Sequence, residues 1–283
     1  MKLMLKKLKN LNLWHYFVML VISFFVLLPF YWMIITSIKP NTEVLLTPAT
    51  WFPSRIDLSN YINVWKVIDL FKYLKNSLII AVATTLFCVI IATLTGYSLS
   101  RFKTRLHKFS SALFIFTQLI PSILPFIAYY FLLFNMKMTN TYISLIFTYA
   151  IWGVPFCTLM MKNYFQAAMP KSLEESSMID GCTKFGTFVK IAVPLAVPGI
   201  IAISIFAFIL AWNEFMFASV MLTNSELKPV SVAIYDFIGQ FGNASNVSMS
   251  MTVATITTIP AMVIFAFLQR YLISGMTAGA VKE

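Results

Sequence analysis

The residues able to do chemistry in this 283-residue chain gather in two places. The first is a polar stretch between two apolar runs, holding Ser172, Glu174, Glu175, Ser176, Ser177, Asp180 and Gly181, and running on through Phe185, Ile191 and Pro194. Ser172 and Glu175 have the spacing of a capping box, in which a hydroxyl and a carboxylate each accept a free N–H at the start of a helix. Gly181 suits the left-handed residue that ends one. The spacing therefore predicts a helix of about two turns after Pro170, with Ser176 and Ser177 as small side chains that let a neighbour approach closely. A second helix over 183–193 would turn Phe185, Val189 and Ile191 or Ala192 toward the membrane, ahead of Pro194 and Pro198. Two short helices of this kind form a knob suited to a groove in another protein, although paired helices can also be plain connectors.

The second place is Ala211-Trp212-Asn213-Glu214-Phe215, which sets a carboxylate inside an apolar run. A charge at the centre of a membrane helix costs ~2.5–3.5 kcal/mol on insertion scales, so it faces a cavity or a partner. Counted from Pro198, Glu214 falls about 24 Å along a continuous helix, toward its outer half. Two readings stand, an interfacial or partner-bound Glu and a polar group on the outer part of a solute path. Gln118, Ser122, Pro125 and Tyr129 recur at helical spacing on one face, as do Ser248, Thr252 and Thr255. Such residues pack helices together, or, with Asn213 and Glu214, they line a path; Gln118, Ser122, Tyr129, Thr252 and Thr255 are its candidates.

Other chemistries find little support. Cys88, Cys157 and Cys182 have no paired spacing, and His15 and His107 are isolated, so no metal site is expected. The formal charge of +11 comes from Lys and Arg flanking apolar runs, which orients spans in a bilayer and does not indicate nucleic-acid binding. With 59% hydrophobic and 11% charged residues and a mean hydropathy of +0.82, the chain is an integral membrane protein.

The elements that must position these residues are apolar runs of about 20 residues, each enough to cross ~30 Å of hydrocarbon. Six are found, at 13–35, 78–99, 110–134, 142–161, 198–222 and 249–272. Lys2, Lys6, Lys7 and Lys9 precede the first, which is too long for a signal peptide and lacks a small-residue cleavage site. The expectation is a single all-α membrane domain over 1–283, with both termini cytoplasmic, an extracytoplasmic loop at 36–77 and a cytoplasmic loop at 163–197. Basic clusters at 101–108 and 162–190, with Arg270 and Lys282, agree with that orientation. Lys39, Arg55, Lys66, Lys72 and Lys75 in loop 36–77 run against it. Within that loop Tyr61, Val64, Trp65 and Ile68 suit a short amphipathic helix. Pro29, Pro121, Pro125, Pro155 and Pro260 interrupt spans, and the carbonyls they free suggest kinked helices around a cavity.

Glu175-Ser176-Ser177, then Gly181, then Ile191-Ala192-Val193-Pro194 resembles the coupling-loop signature of permease subunits of binding-protein-dependent ATP-binding-cassette importers. Ser176 and Ser177 stand where that pattern has alanines, and Val193 where it has leucine. Ser37-Ile38-Lys39-Pro40, Asn76-Ser77-Leu78, Tyr97 to Phe102, Trp212 to Phe215 and the tail Gly275 to Lys282 are similar to the carbohydrate branch, and to the shorter six-span subunit of maltose-type pairs. The resemblance implies a type I importer fold and half of a path for a sugar, in particular an oligosaccharide. It implies a second homologous permease, two cytoplasmic ATP-binding subunits and an extracytoplasmic sugar-binding protein as partners. ATP and Mg are then used by the partner subunits; this chain has no phosphate loop, is not itself an enzyme and binds no cofactor. Glu174 and Asp180 are the acids expected to face the ATPase if Glu175 caps its own helix. A permease for amino acids or another polar solute, and a stand-alone secondary carrier, are the alternatives. Repeated halves and further buried charges, expected of a carrier, are absent from the sequence.

Overall fold

The computed structural model describes residues 13–241 and 247–278. The basic N-terminal lysines and the last residues of the tail motif, 279–283, lie outside them. Among the described residues the chain is helical, with no strand. It divides into two compact units, one of residues up to 68 with 237–256, the other of 69–236 with the residues from 257 on.

In the first unit, α1 (Leu13–Ser37) contains Pro29 and exposes apolar side chains such as Phe24, Phe25 and Leu27. After the single turn α2 (Asn41–Val44), the amphipathic helix expected in the loop forms as α3 (Ser59–Val67). Asn60 and Val64, one turn apart, are its buried face. Asn60 Nδ2 donates to Ser248 Oγ at 2.9 Å, and Ser248 Oγ donates to Lys39 O at 2.9 Å. Ser248 and Thr252 lie on the last long helix, α14 as numbered below, whose start is thereby pinned to the end of α1.

The second unit begins with α4 (Leu70–Arg101), capped by Asp69, whose carboxylate accepts from Lys72 N at 3.3 Å. Then come α5 (Arg105–Leu119), α6 (Ile123–Asn135), α7 (Tyr142–Ala168), α8 (Lys171–Ile179), α9 (Lys184–Thr187), a π-helical turn over Phe188–Ala192, α10 (Val193–Leu195), α11 (Val197–Asn213) and α12 (Met216–Met221). Two further helices, α13 (Val230–Phe241) and α14 (Val247–Ala278), complete the described chain. Among the described residues four helices are long and apolar enough to cross a membrane (Trp14–Ser37, Leu70–Arg101, Tyr142–Ala168, Val247–Phe267), or up to six spans if each of two bent pairs is one. This is a multi-pass membrane protein.

Two predicted spans are not continuous helices. The run 110–134 breaks between α5 and α6 with a bend of 102°. Pro121 lacks an N–H and forces Ile120 to extended backbone (φ −85°, ψ 123°), as residues before proline are. The shared face of Gln118, Ser122, Pro125 and Tyr129 therefore does not exist. The run 198–222 stops at Asn213 and restarts at Met216, because Glu214 is itself extended (φ −70°, ψ 133°).

The core of this unit joins α4, α7 and α11 through Cys88, Ala92, Cys157, Met161, Ile203 and Ala207. Gly153 and Gly96 let α4 and α7 close on each other, the packing that small residues allow in membranes. A Cβ at Gly153 would lie 2.9 Å from Cys88 Sγ, and one at Gly96 would lie 2.6 Å from Met161 Cβ and 3.0 Å from Lys162 N. Gly96→Ala thus meets backbone that cannot rotate away. We expect it to destabilise the detergent-purified chain by about 1–3 kcal/mol, the usual scale of overpacking, visible as a lowered melting temperature; an unchanged melt would show that α4 and α7 can separate freely.

Candidate functional site

The polar stretch folds into a two-helix knob. Pro170 (φ −59°, ψ 142°) is the last extended residue and α8 begins at Lys171, without a side-chain cap. Ser172 is already inside the helix, so the expected capping box with Glu175 does not form. Both side chains are exposed. At the other end Asp180 closes the helix and Gly181 takes φ +88°, the left-handed turn its position required. No atom comes within 4 Å of a Cβ built on Gly181, so this corner is open.

Glu174 points the other way, into the protein. Its carboxylate accepts from Arg101 Nε, in an ion pair whose side chains are 8% and 13% exposed. Arg101 Nη2 also donates to Met169 O at 2.9 Å, and the guanidinium lies 5.8 Å from the Tyr97 ring centroid. Glu174 is therefore engaged inside the chain, leaving Glu175 and Asp180 as the acids on the exposed surface of α8. Ser177 is buried, and its hydroxyl donates to Glu174 O and lies 2.7 Å from Thr187 Oγ1. That contact joins α8 to α9, while Ser176 stays exposed. A small groove of about 180 Å³ is lined by Arg101, Phe102, Lys171, Glu174, Glu175 and Lys184 among others.

The second knob helix is not one regular helix over 183–193 but α9 followed by a π turn. This π turn spans Phe188–Ala192; Phe188 and Ala192 enter the core, while Phe185 is 72% exposed and Val189 is exposed as well. Ile191 is half-buried against the core and Pro194 is exposed. Phe188 meets Tyr97 at 4.9 Å, and Tyr97 meets Phe165 at 5.4 Å between ring centroids. The knob thus shares one apolar core with α4, α7 and α11.

The two helix breaks meet at a cavity of about 420 Å³, lined by Gln118, Ser122, Tyr149, Trp152 and Glu214 among others. Glu214 Oε1 accepts from Phe217 N at 2.7 Å, and Oε2 accepts from Ala218 N at 3.1 Å and Tyr149 Oη at 2.8 Å. Ser231 Oγ donates to the Glu214 carbonyl at 2.7 Å. The carboxylate caps the free amides at the start of α12, as a capping side chain does, and so shapes the break. Of the other candidates, Asn213 ends α11 with an exposed side chain and Tyr129 is half-buried on α6; neither lines this cavity. Thr252 is fully buried and donates to Ser37 O at 3.2 Å and Ser248 O at 3.0 Å, while Thr255 donates to Met251 O at 2.8 Å. The Thr252 hydroxyl ties α14 to the end of α1, whereas that of Thr255 bonds back within α14. Sequence reasoning missed Tyr149, Trp152 and Arg101 as site residues, since nothing in their spacing ties them to Glu214 or Glu174.

Residues 88–278 match the family described as the inner membrane component of binding-protein-dependent transport systems. The chain belongs to this family. As an inner membrane component of that kind, it is 36% identical over 264 residues to the trehalose/maltose transport system permease protein of Thermococcus litoralis, which covers 90% of this chain and 91% of that protein. It is 33% identical over 254 residues to the diacetylchitobiose uptake system permease protein of Streptomyces coelicolor, covering 90% and 91%. It is 31% identical over 256 residues to the sulfoquinovosyl glycerol transport system permease protein of Agrobacterium fabrum, covering 90% and 89%. A chain in the crystal structure of a bacterial ABC transporter involved in the import of the acidic polysaccharide alginate superposes with a TM-score of 0.80 at 20% identity, covering 93% of this chain and 96% of that one. The fold is that of an ABC importer permease.

Proposed function

We propose that this transport component is the permease subunit of an ATP-driven sugar importer, with an oligosaccharide as its cargo. The observation that carries the proposal is the knob at 171–194, a surface structure with the coupling signature whose Phe188 and Ala192 sit in the same core as the helices around it. Three relatives named for saccharide or sulfosugar transport support the substrate class. In this reading a second, homologous permease supplies the other half of the path. Two cytoplasmic ATPase subunits receive the knob, through Glu175, Asp180 and the open corner at Gly181, and a binding protein delivers the sugar from the opposite side. ATP and Mg are used on the ATPase subunits, and this chain neither hydrolyses ATP nor carries a cofactor. Both termini are cytoplasmic. Two of the lysines that run against that orientation are held within the protein, Lys39 by Thr50 O and Lys72 by Glu226, and so are poor reporters of it.

The cavity beside Glu214 fits a hydroxyl-rich cargo, since Gln118 and Ser122 offer hydrogen bonds and Trp152 an apolar ring. Closure of the ATPase dimer would move the knob and switch the cavity between two openings, the two-state element that ATP and the loaded binding protein both bias.

The test is to co-express the chain with its partner subunits, purify by a tag on this chain, and reconstitute with the binding protein. ATPase subunits should co-purify, and oligosaccharides, not amino acids, should raise ATP turnover several-fold. A chain that leaves the membrane without an ATPase, yet transports alone, would be a secondary carrier instead. Stimulation by amino acids would move the substrate class.

A further inference from the structure

We infer that α4 is the rod that carries movement of the knob to the opposite end of the membrane domain, and that Arg101 and Glu174 are the positioning pair that engages it. The inference rests on the coupling role proposed for the knob. At one end of α4, Arg101 is its last residue and holds both Glu174 in α8 and the carbonyl of Met169 just before it. At the other end, Asn76 donates to Glu226 O at 2.9 Å and to Lys228 O at 3.0 Å, and accepts from Tyr142 Oη at 2.8 Å. Ser77 Oγ accepts from Val230 N at 2.8 Å, and Lys72 Nζ pairs with Glu226 at 2.9 Å. The segment 226–230 is thus fastened near the start of α4 as the knob is fastened to its end, about 36–44 Å apart along the helix axis at ~1.5 Å per residue.

The body between is stiff. The sequence of α4 contains no proline, whereas α1, α7 and α14 each contain one. Proline is the commonest cause of a kink. The covalent route from the knob is softer, because it passes through the π turn at Phe188–Ala192 and then a bend of 73° before α11. Arg101 and Glu174 are also nearly buried, so their contact is not the loosely held pair of a solvated surface, which transmits little. A displacement of α8 therefore reaches α4 through a charged, two-point clamp, and α4 delivers it to 226–230.

Arg101→Glu, Glu174→Arg, the double exchange Arg101→Glu/Glu174→Arg, and Arg101→Lys test this in the assembled complex. A thiol introduced as Ser225→Cys in a Cys182→Ser background, labelled on this chain with a membrane-impermeant maleimide, reports on the far end. In the parent complex, ATP with vanadate should change the labelling rate at position 225 at least threefold. Either single reversal should abolish that change and lower sugar-stimulated ATP turnover at least tenfold, with ATPase subunits still co-purifying. The double exchange should restore at least half of both, and Arg101→Lys should fall between. The inference is overturned if labelling still responds in Arg101→Glu, or if the double exchange behaves like the single reversals, loss of assembly included. A parent complex with no ATPase subunit would instead fail the functional reading itself.

Discussion

Replacing Gly181 by valine is expected to leave the chain inserted and extractable while lowering sugar-stimulated ATP turnover of the complex about tenfold or more. Gly181 has φ +88° and nothing within 4 Å of a built Cβ. No packing would be violated, so the cost to folding is confined to the backbone. A left-handed conformation costs an ordinary L-residue about 1–2 kcal/mol, more for a β-branched one, which the chain can avoid by reshaping the turn over 180–183. That turn is tied to α8 by Cys182 N–H to Ser177 O at 3.0 Å and Gly181 N–H to Met178 O at 3.1 Å. Reshaping it moves Asp180 and the start of α9, the surface offered to the ATPase. Gly181→Ala should give a smaller loss in the same direction. If Gly181→Val retains full stimulation with normal assembly, the open corner is not where the ATPase docks.

Much of the knob was legible because its determinants are local. Gly181 marked a helix end by its backbone freedom, Pro170 marked the start, and the helix between them lies where these two put it. The long apolar runs and the amphipathic helix around Val64 were legible for the same reason, since burial in lipid or against a neighbour imposes a period on the sequence. What escaped depends on residues distant in sequence or on backbone irregularity. Arg101 and Glu174 are 73 positions apart, and Arg101 in isolation reads as one more basic residue flanking a span. The π turn over Phe188–Ala192 is likewise something that a regular 3.6-residue count cannot anticipate. The breaks at Pro121 and Glu214 interrupt the runs 110–134 and 198–222. Pro121 was visible as a kink, but a bend of 102° was not, and Glu214 was weighed as a buried charge without its capping role.

That role gives the last prediction. Glu214→Ala would leave the N–H groups of Phe217 and Ala218 and the hydroxyl of Tyr149 without their acceptor. A buried polar group left unpaired costs about 1–3 kcal/mol, so the loss should amount to several kcal/mol, seen as a lower melting temperature of the detergent-purified chain with no sugar present. Glutamine keeps one acceptor oxygen and turns an amide donor toward donors, so Glu214→Gln should fall between Glu214→Ala and wild type. Tyr149→Phe removes a donor and leaves the two amide bonds intact, so about 1 kcal/mol is expected. The order Ala, Gln, then Tyr149→Phe, from most to least damaging, is the signature of a carboxylate that builds the helix break. A carboxylate acting mainly as a sugar ligand would give another pattern, in which all three variants melt like wild type and only the sugar concentration needed for half-maximal ATP stimulation rises. The same capped break sets one wall of the cavity. Transport should therefore decline in step with stability across the three variants, and a variant that melts normally but transports nothing would separate cavity shape from cargo binding.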